Sequence, residues 1–386
     1  MYNSTEIRIH SKRYLDRDYY IGATHLPIVN ASIGTSQDGD SFITEIQKAH
    51  VAISAGAEMI TDHSISGDVA EFHHILRESI HTPLACVPIY GLSLRHPDFS
   101  PLQAIDEIEQ FLDRGFNVIV LHASVLAEDC IKSLYENRII PVTSKGGQIM
   151  IRWMRNTKSE NPFFFLFDDI LELVKKYSAV ISLAPCFRPA SVYDNSLCMS
   201  DSYWVEVSRM AMLVKKAIAS QVPIIVEGIG HAQLTNIPHY VKQCKDMCFG
   251  VPYKVLTVST DIALGYDNIS SAIAASMAVL SGANIVTAVT SAEHITLPNI
   301  QQVEDAVVAA RIAIHSATLC WGEKELERDR CMSVKRMQKT SCQGSADYAI
   351  FPNGARRALK EHLYDSGCSM CGELCAYKKE AVNNDS

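Results

Sequence analysis

The chain has no block of basic residues. Its 35 Lys and Arg are outnumbered by 43 Asp and Glu, and the net charge of −8 argues against a nucleic-acid or anionic-membrane surface. The first twenty residues, MYNSTEIRIHSKRYLDRDYY, hold no apolar core, which predicts no secretory signal and a cytoplasmic protein. There is no short-period repeat and no low-complexity tract. The uncharged stretch Ser270–Ala292 is long enough to span a bilayer, but it is rich in Ser, Ala, Thr and Asn and is broken by Gly282-Ala283-Asn284. That composition predicts a buried helix followed by a buried strand instead of a membrane span. Disulfides are not expected among the 12 cysteines of such a chain, so their spacing carries the information.

With 47% hydrophobic residues, 386 residues suffice for one large domain and an appendage. Short apolar, β-branched runs alternate with helical patterns. The strand candidates are Pro27–Ile33, Ala57–Asp62, Leu84–Tyr90, Asn117–His122, Ile139–Thr143, Ala179–Leu183, Pro223–Val226, Val255–Thr260 and Ala283–Val289. Helices are predicted at Leu102–Arg114, Asp168–Tyr177 and Val205–Ser220. Runs without polar alternation suit a parallel sheet covered on both faces, and eight or nine βα units predict an α/β fold of the (β/α)8 barrel type. A doubly wound sheet is the second choice, and Ile139–Thr143 is the weakest strand. The expected organisation is an N-terminal extension (1–20), a catalytic barrel (21–318) and a C-terminal arm (319–386) ending in a disordered tail.

In such a barrel the active site lies at the C-terminal ends of the strands. Here those ends are polar: Asn30 and Ser32, then Asp62, His63 and Ser64, then Tyr90, then His122. Ser144, Lys145 and Gly146 offer a cation and flexible amides that suit a phosphate, and Arg188 adds a planar guanidinium. Glu227, His231, Asp261, Glu293 and His294 complete the set. Singly, each has an ordinary structural role; Asp261, for one, could cap a helix. A convergent ring of polar groups is costly as mere structure and is expected of a small-molecule site. His231 and His294, with Glu227 nearby, could hold zinc or another divalent metal.

The sharpest local signal is Cys368-Ser-Met-Cys371-Gly-Glu-Leu-Cys375. A structural zinc would need a fourth ligand from Cys331, Cys342 or His362. Three thiolates on a [4Fe–4S] cluster leave one iron open, where S-adenosylmethionine (SAM) can chelate and be cleaved reductively to a 5′-deoxyadenosyl radical. Spacing alone leaves these two readings level, with free cysteines behind them.

The segments VNASIG (29–34), CVPIY (86–90), VLHA (120–123), TSKGGQIMIRWM (143–154), SLAPCFRPAS (182–191), VEGIGH (226–231), TDIALGYD (260–267), EHITLP (293–298) and CSMCGELC (368–375) occur in order. Together they resemble the phosphomethylpyrimidine synthase family, radical-SAM enzymes of thiamine pyrimidine biosynthesis, to which hydroxybenzimidazole synthase also belongs. The resemblance implies a barrel, a C-terminal arm whose [4Fe–4S] cluster reaches the partner's active site in a homodimer, SAM, an external electron donor and 5-aminoimidazole ribotide as substrate. It implies substrate contacts at Asn30, Tyr90, His122, Ser144, Lys145, Gly146, Arg188, Glu227 and Tyr253. Zinc would lie on His231 and His294, the cluster on Cys368, Cys371 and Cys375, and catalytic roles would fall to Glu227, His231 and Cys371.

The departures concentrate at the pocket. The family's CxxCxxxxC is one residue shorter here, its GDGLRP is Ala184–Pro189, its second-strand Met is Thr61, and His63 is added. Lys145 replaces an Arg and Ile229 replaces the Pro of EGPGH. This pattern suggests a divergent paralogue that keeps radical carbon–carbon lyase or rearrangement chemistry on an altered substrate or product. Two other readings stay open: a metal-dependent barrel lyase or hydrolase with a structural zinc on the cysteines, and a nucleotide-binding paralogue without turnover.

Overall fold

The computed structural model describes residues 3–11, 13–37, 41–129, 138–196, 201–337 and 343–360. The cysteine cluster at 368–375 therefore lies outside the described residues, as do Cys342 and His362.

Ten strands are described. β1 (Glu6–Ile9) and β2 (Tyr19–Gly22) form an antiparallel pair. β3 (Ile28–Ile33), β4 (Met59–Asp62), β5 (Leu84–Cys86), β6 (Val118–Leu121), β7 (Val180–Leu183), β8 (Ile224–Gly228), β9 (Tyr253–Val255) and β10 (Ile285–Thr287) follow. The last eight are parallel and close in sequence order, with β10 pairing β3. The fold is a (β/α)8 barrel. Its strands are buried on both faces, which is why the sequence shows apolar runs without alternation.

Local chemistry sets the helix ends. Ser41, Asp68 and Ser100 cap the helices Phe42–Ala55, Val69–Ser79 and Pro101–Asp113, and Ser100 forms a reciprocal capping box with Gln103. Gly56, at φ 113°, turns the first of these back toward β4, a conformation that a residue with a Cβ adopts only at a cost.

Several strands differ from expectation. Residues 139–143 form no strand; the segment lies beyond β6, where Ile139 N and Ile140 N donate to Asp194. Leu84–Tyr90 divides, because Pro88 starts the helix Pro88–Arg95 and carries Tyr90 on it. The strand expected at Val255–Thr260 is the earlier Tyr253–Val255. Ser270–Ala292 divides between the helix Asp267–Leu280 and β10, although Ile269, Ile273 and Leu280 leave one helix face about half exposed. Among the described residues no helix is long and apolar enough to cross a membrane.

The β1–β2 hairpin spans the end of the expected N-terminal extension (1–20) and the first residues beyond it. Ile7, Ile9 and Ile21 are buried, and burial of such side chains stabilises by about 1.5–3 kcal/mol each. Arg77 donates to Tyr14 O at 3.2 Å, Tyr14 packs against Gly115 and Thr5 against Gly250. Gly115 and Gly250 sit in turns that lead from helices into strands, so this segment covers the N-terminal end of the barrel, opposite the strand tips.

The chain divides into two compact units between Ile314 and His315. In the second, Arg328 on the helix Glu323–Met337 donates to Tyr348 O at 3.1 Å and Ala349 O at 2.5 Å. Cys331 lies on that same helix, its thiol 3.3 Å from a Glu327 carboxylate oxygen.

Candidate functional site

Six strands place polar side chains together inside the barrel, as two networks. Thr61 Oγ1 donates to Asn30 Oδ1 at 2.7 Å, and Asn30 Nδ2 reaches Thr287 Oγ1 at 3.5 Å. Ser182 Oγ and Lys254 Nζ both donate to Glu227 Oε1, at 2.7 and 3.1 Å. Burial alone would push the Glu227 carboxyl upward. The charges of Lys254 and Arg188 and the bonds from Ser182 and Lys254 outweigh it and hold the group at about 2. Glu227 is thus an anion.

Above this layer stands the rim. Ser144 caps the helix Lys145–Thr157 by accepting from Gly147 N at 3.0 Å, so its hydroxyl already has one use. Lys145 Nζ lies 4.8 Å from the centre of the Tyr90 ring, and burial lowers its affinity for a proton. A Cβ on Gly146 would come within 2.3 Å of His122 Cε1, so glycine lets the helix start approach the histidine. Burial holds His122 at about 4, with Glu227 opposing and Arg188 contributing. His63, 5.9 Å from the Tyr90 ring centre, is also held at about 4, by burial first and then by Lys254 and Lys145. Both imidazoles are neutral at pH 7. Buried polar atoms are almost always bonded, yet His122 Nδ1 and Arg188 Nε have no hydrogen-bond partner. Beside Lys145, Tyr90 and His63 opens a cavity of about 290 Å³ with apolar walls at Ile33, Val289 and Leu297.

His231 and His294 meet with ring centres 5.3 Å apart. His231 Nδ1 lies 2.6 Å from Asp261 Oδ1 and His294 Nδ1 lies 3.4 Å from Asp267 Oδ1. A carboxylate on the outer nitrogen of each ring is how metal-ligating histidines are oriented, with Nε2 left for the ion. Burial lowers the proton affinity of His231 despite Asp261, which favours the neutral, ligating form. The pair therefore fits a metal, but it is incomplete: among the described residues no three His, Cys, Asp or Glu side chains cluster as a metal-binding group. Asp261 also accepts from Ser191 Oγ and Val192 N at 3.3 and 2.8 Å, so it caps the helix Val192–Ser196 and fastens the loop after β7. Between Glu227 and His231 the backbone is tight. Ile229 has φ 31°, strained for a β-branched residue and closed to proline, and a Cβ on Gly230 would meet Pro189 O at 2.0 Å.

Two expected members stand apart. Tyr253 faces the helical layer, its hydroxyl against Gly228 and beside Tyr203 and Cys244. Asp62 likewise turns outward, to His73 Nε2 at 2.8 Å and to Ser64 Oγ at 2.6 Å. Asn30, Tyr90, His122, Ser144, Lys145, Gly146, Arg188 and Glu227 come to one end of the barrel, with His231 and His294 beside them. Cys368, Cys371 and Cys375 lie outside the described residues.

The sequence reading missed two residues. Lys254 takes the inward position that Tyr253 was expected to hold; the signal was one charge inside the apolar run PYKVLTV (252–258). Glu206 was hidden in a helix, on the apolar stripe of Tyr203, Val207 and Met210. Its buried carboxyl accepts from Cys186 N at 2.8 Å, Phe187 N at 2.9 Å and Ser124 Oγ at 3.2 Å, and so shapes the loop that carries Arg188. Burial lifts it to about 7 against those bonds.

This constellation coincides with a match, over residues 5–381, to the family described as "Radical SAM ThiC family". The chain belongs to that family. It is 35% identical over 364 residues to "Phosphomethylpyrimidine synthase 2" of Syntrophotalea carbinolica, covering 91% of this chain and 84% of that protein. It is 36% identical to "Phosphomethylpyrimidine synthase" of Carboxydothermus hydrogenoformans, with 93% and 85% covered, and 33% identical to that of Archaeoglobus fulgidus, with 92% and 85% covered. Membership in a radical SAM family implies a [4Fe–4S] cluster and SAM.

Proposed function

We propose that the chain is a cytoplasmic radical-SAM enzyme that rearranges 5-aminoimidazole ribotide, or a close phosphorylated analogue, through carbon–carbon bond cleavage. Its product would be a thiamine-pyrimidine-like or benzimidazole-like heterocycle. The reading rests on one observation above the others. In a relative of phosphomethylpyrimidine synthases, the cations Lys145 and Arg188 lie past the strand ends beyond a Glu227 carboxylate held low by Lys254 and Arg188, and the buried atoms His122 Nδ1 and Arg188 Nε have no hydrogen-bond partner.

The residues divide the work by depth. Lys145, at the start of the helix beyond β6, and Arg188, in the loop beyond β7, bind the phosphate, with the Gly146 amide and the helix start adding donors. Glu227 and Asn30, on the strands, orient the heterocycle, and Glu227 is placed to accept its amino protons. Neutral His122 and Tyr90 fill the middle and exclude water. His231 and His294 would supply two ligands to a zinc or other divalent ion. Cys368, Cys371 and Cys375 would hold the cluster, which, when bound and reduced by an external donor, would supply the electron for reductive cleavage of SAM. The apolar cavity beside Lys145 gives room for the nucleoside of SAM.

The exposed side chains near the site support a homodimer. Ile262 is 94% exposed, and Leu264, Tyr266 and Ile295 are more than half exposed, on segments that carry Asp261 and His294. An apolar rim of this kind is suited to cover by a partner's arm. Anaerobic turnover with SAM, dithionite and 5-aminoimidazole ribotide should release 5′-deoxyadenosine and a pyrimidine or benzimidazole identified by mass spectrometry. A colourless protein with one zinc on the cysteines and no SAM cleavage sinks the proposal.

A further inference from the structure

We propose that Lys254 is a specificity-determining residue, selecting a ribotide whose buried edge presents a hydrogen-bond acceptor beside the amino group, as an aminoimidazole carboxamide does. The inference rests on the ribotide reading above and adds the nature of the heterocycle's edge.

Depth comes first. Lys254 lies within β9, with its Cα paired to Glu227, whereas Lys145 and Arg188 lie past the ends of β6 and β7. A phosphate held at the rim therefore leaves the far end of the ligand to Glu227 and Lys254. Next is hydrogen-bond capacity. An ammonium has three donors. Glu227 Oε1 takes one at 3.1 Å, and the side chain is only 8% exposed, so an acceptor on the ligand is the natural partner for the remainder. Glu227, acceptor only, meets the amino group, so the floor reads donor and acceptor side by side.

Charge decides between acceptors. Lys145, Arg188 and Lys254 are the basic groups, Lys254 and Arg188 hold Glu227 as a carboxylate, and burial holds His63 and His122 at about 4. A phosphate dianion balances Lys145 and Arg188, and Lys254 balances Glu227. A neutral carboxamide preserves that balance, while a carboxylate leaves one buried negative charge in excess. A site built to hydrogen-bond a group discriminates strongly against the analogue that lacks it.

The test compares three ligands on the full-length protein by calorimetry: 5-aminoimidazole ribotide, its 4-carboxamide and its 4-carboxylate. The carboxamide should bind about ten- to a hundredfold more tightly than the unsubstituted ribotide, the range of a hydrogen bond to a charged group, and more tightly than the carboxylate. Lys254→Met should erase that preference and Lys254→Arg should keep part of it. If Lys254→Met fails to fold, the Lys254→Met/Glu227→Gln pair replaces it, and the unmodified protein's ranking stands by itself. Equal or tighter binding of the unsubstituted ribotide overturns the role of Lys254 and leaves the ribotide reading intact. Tightest binding of the carboxylate overturns the neutral edge. Failure of all three to bind overturns the ribotide reading itself.

Discussion

On one side of the barrel, β7, β8 and β9 set Ser182, Glu227 and Lys254 against one another. On the other, β10, β3 and β4 set Thr287, Asn30 and Thr61. Both sides are hydrogen-bonded and buried except for a partly exposed Glu227, but only the first carries charge. Buried charge is far costlier to leave unpaired than a buried amide or hydroxyl. The first side is therefore a polarised floor that a ligand can exploit, and the second a neutral wall that fixes its orientation.

The largest effect should come from breaking the charged side. Glu227→Ala leaves the Lys254 ammonium buried without its partner and should lower unfolding free energy by about 3–5 kcal/mol in denaturant titrations. A loss no larger than that of a surface substitution would show that Lys254 can reach water. On the neutral side, Asn30→Ala removes the acceptor of the Thr61 hydroxyl and should cost about 1–3 kcal/mol by the same measurement. If Asn30→Ala proves the costlier of the two, the contrast between the halves is wrong.

The smallest effect is a slope in pH. His63 and His122 are held at about 4 against an ordinary 6.5, so the unfolded chain binds protons that the folded one refuses between those values. Stability is lost as pH falls from 6.5 toward 4. Glu206 acts in the opposite sense. Held at about 7 against 4.5, it takes up a proton on folding, and its contribution is lost as pH rises from 4.5 to 7. Glu206→Gln should therefore steepen the rise of the thermal midpoint between pH 4.5 and 6.5. An unchanged slope would mean that Glu206 is ionised alike in both states.

The barrel was legible because eight short apolar runs, each followed by helix signals, admit few closed arrangements. Errors arose where local pattern and three-dimensional role separate. Ile139–Thr143 has strand composition but no place in a ring already closed by eight strands. The ring itself was legible in part, since strand ends and cysteine spacing are linear features, and the match over residues 5–381 agrees with the resemblance they carried.

The inward or outward choice was not. One residue along a strand reverses the side chain, so Lys254 enters the floor while Tyr253 leaves it, and Thr61 enters while Asp62 leaves. Sequence by itself determined the βα order, the parallel barrel and the family, because these follow from periodicity and motif. Only the tertiary structure decided which neighbours in the chain face the ligand. That choice depends on strand register and on which charge finds a partner across the barrel.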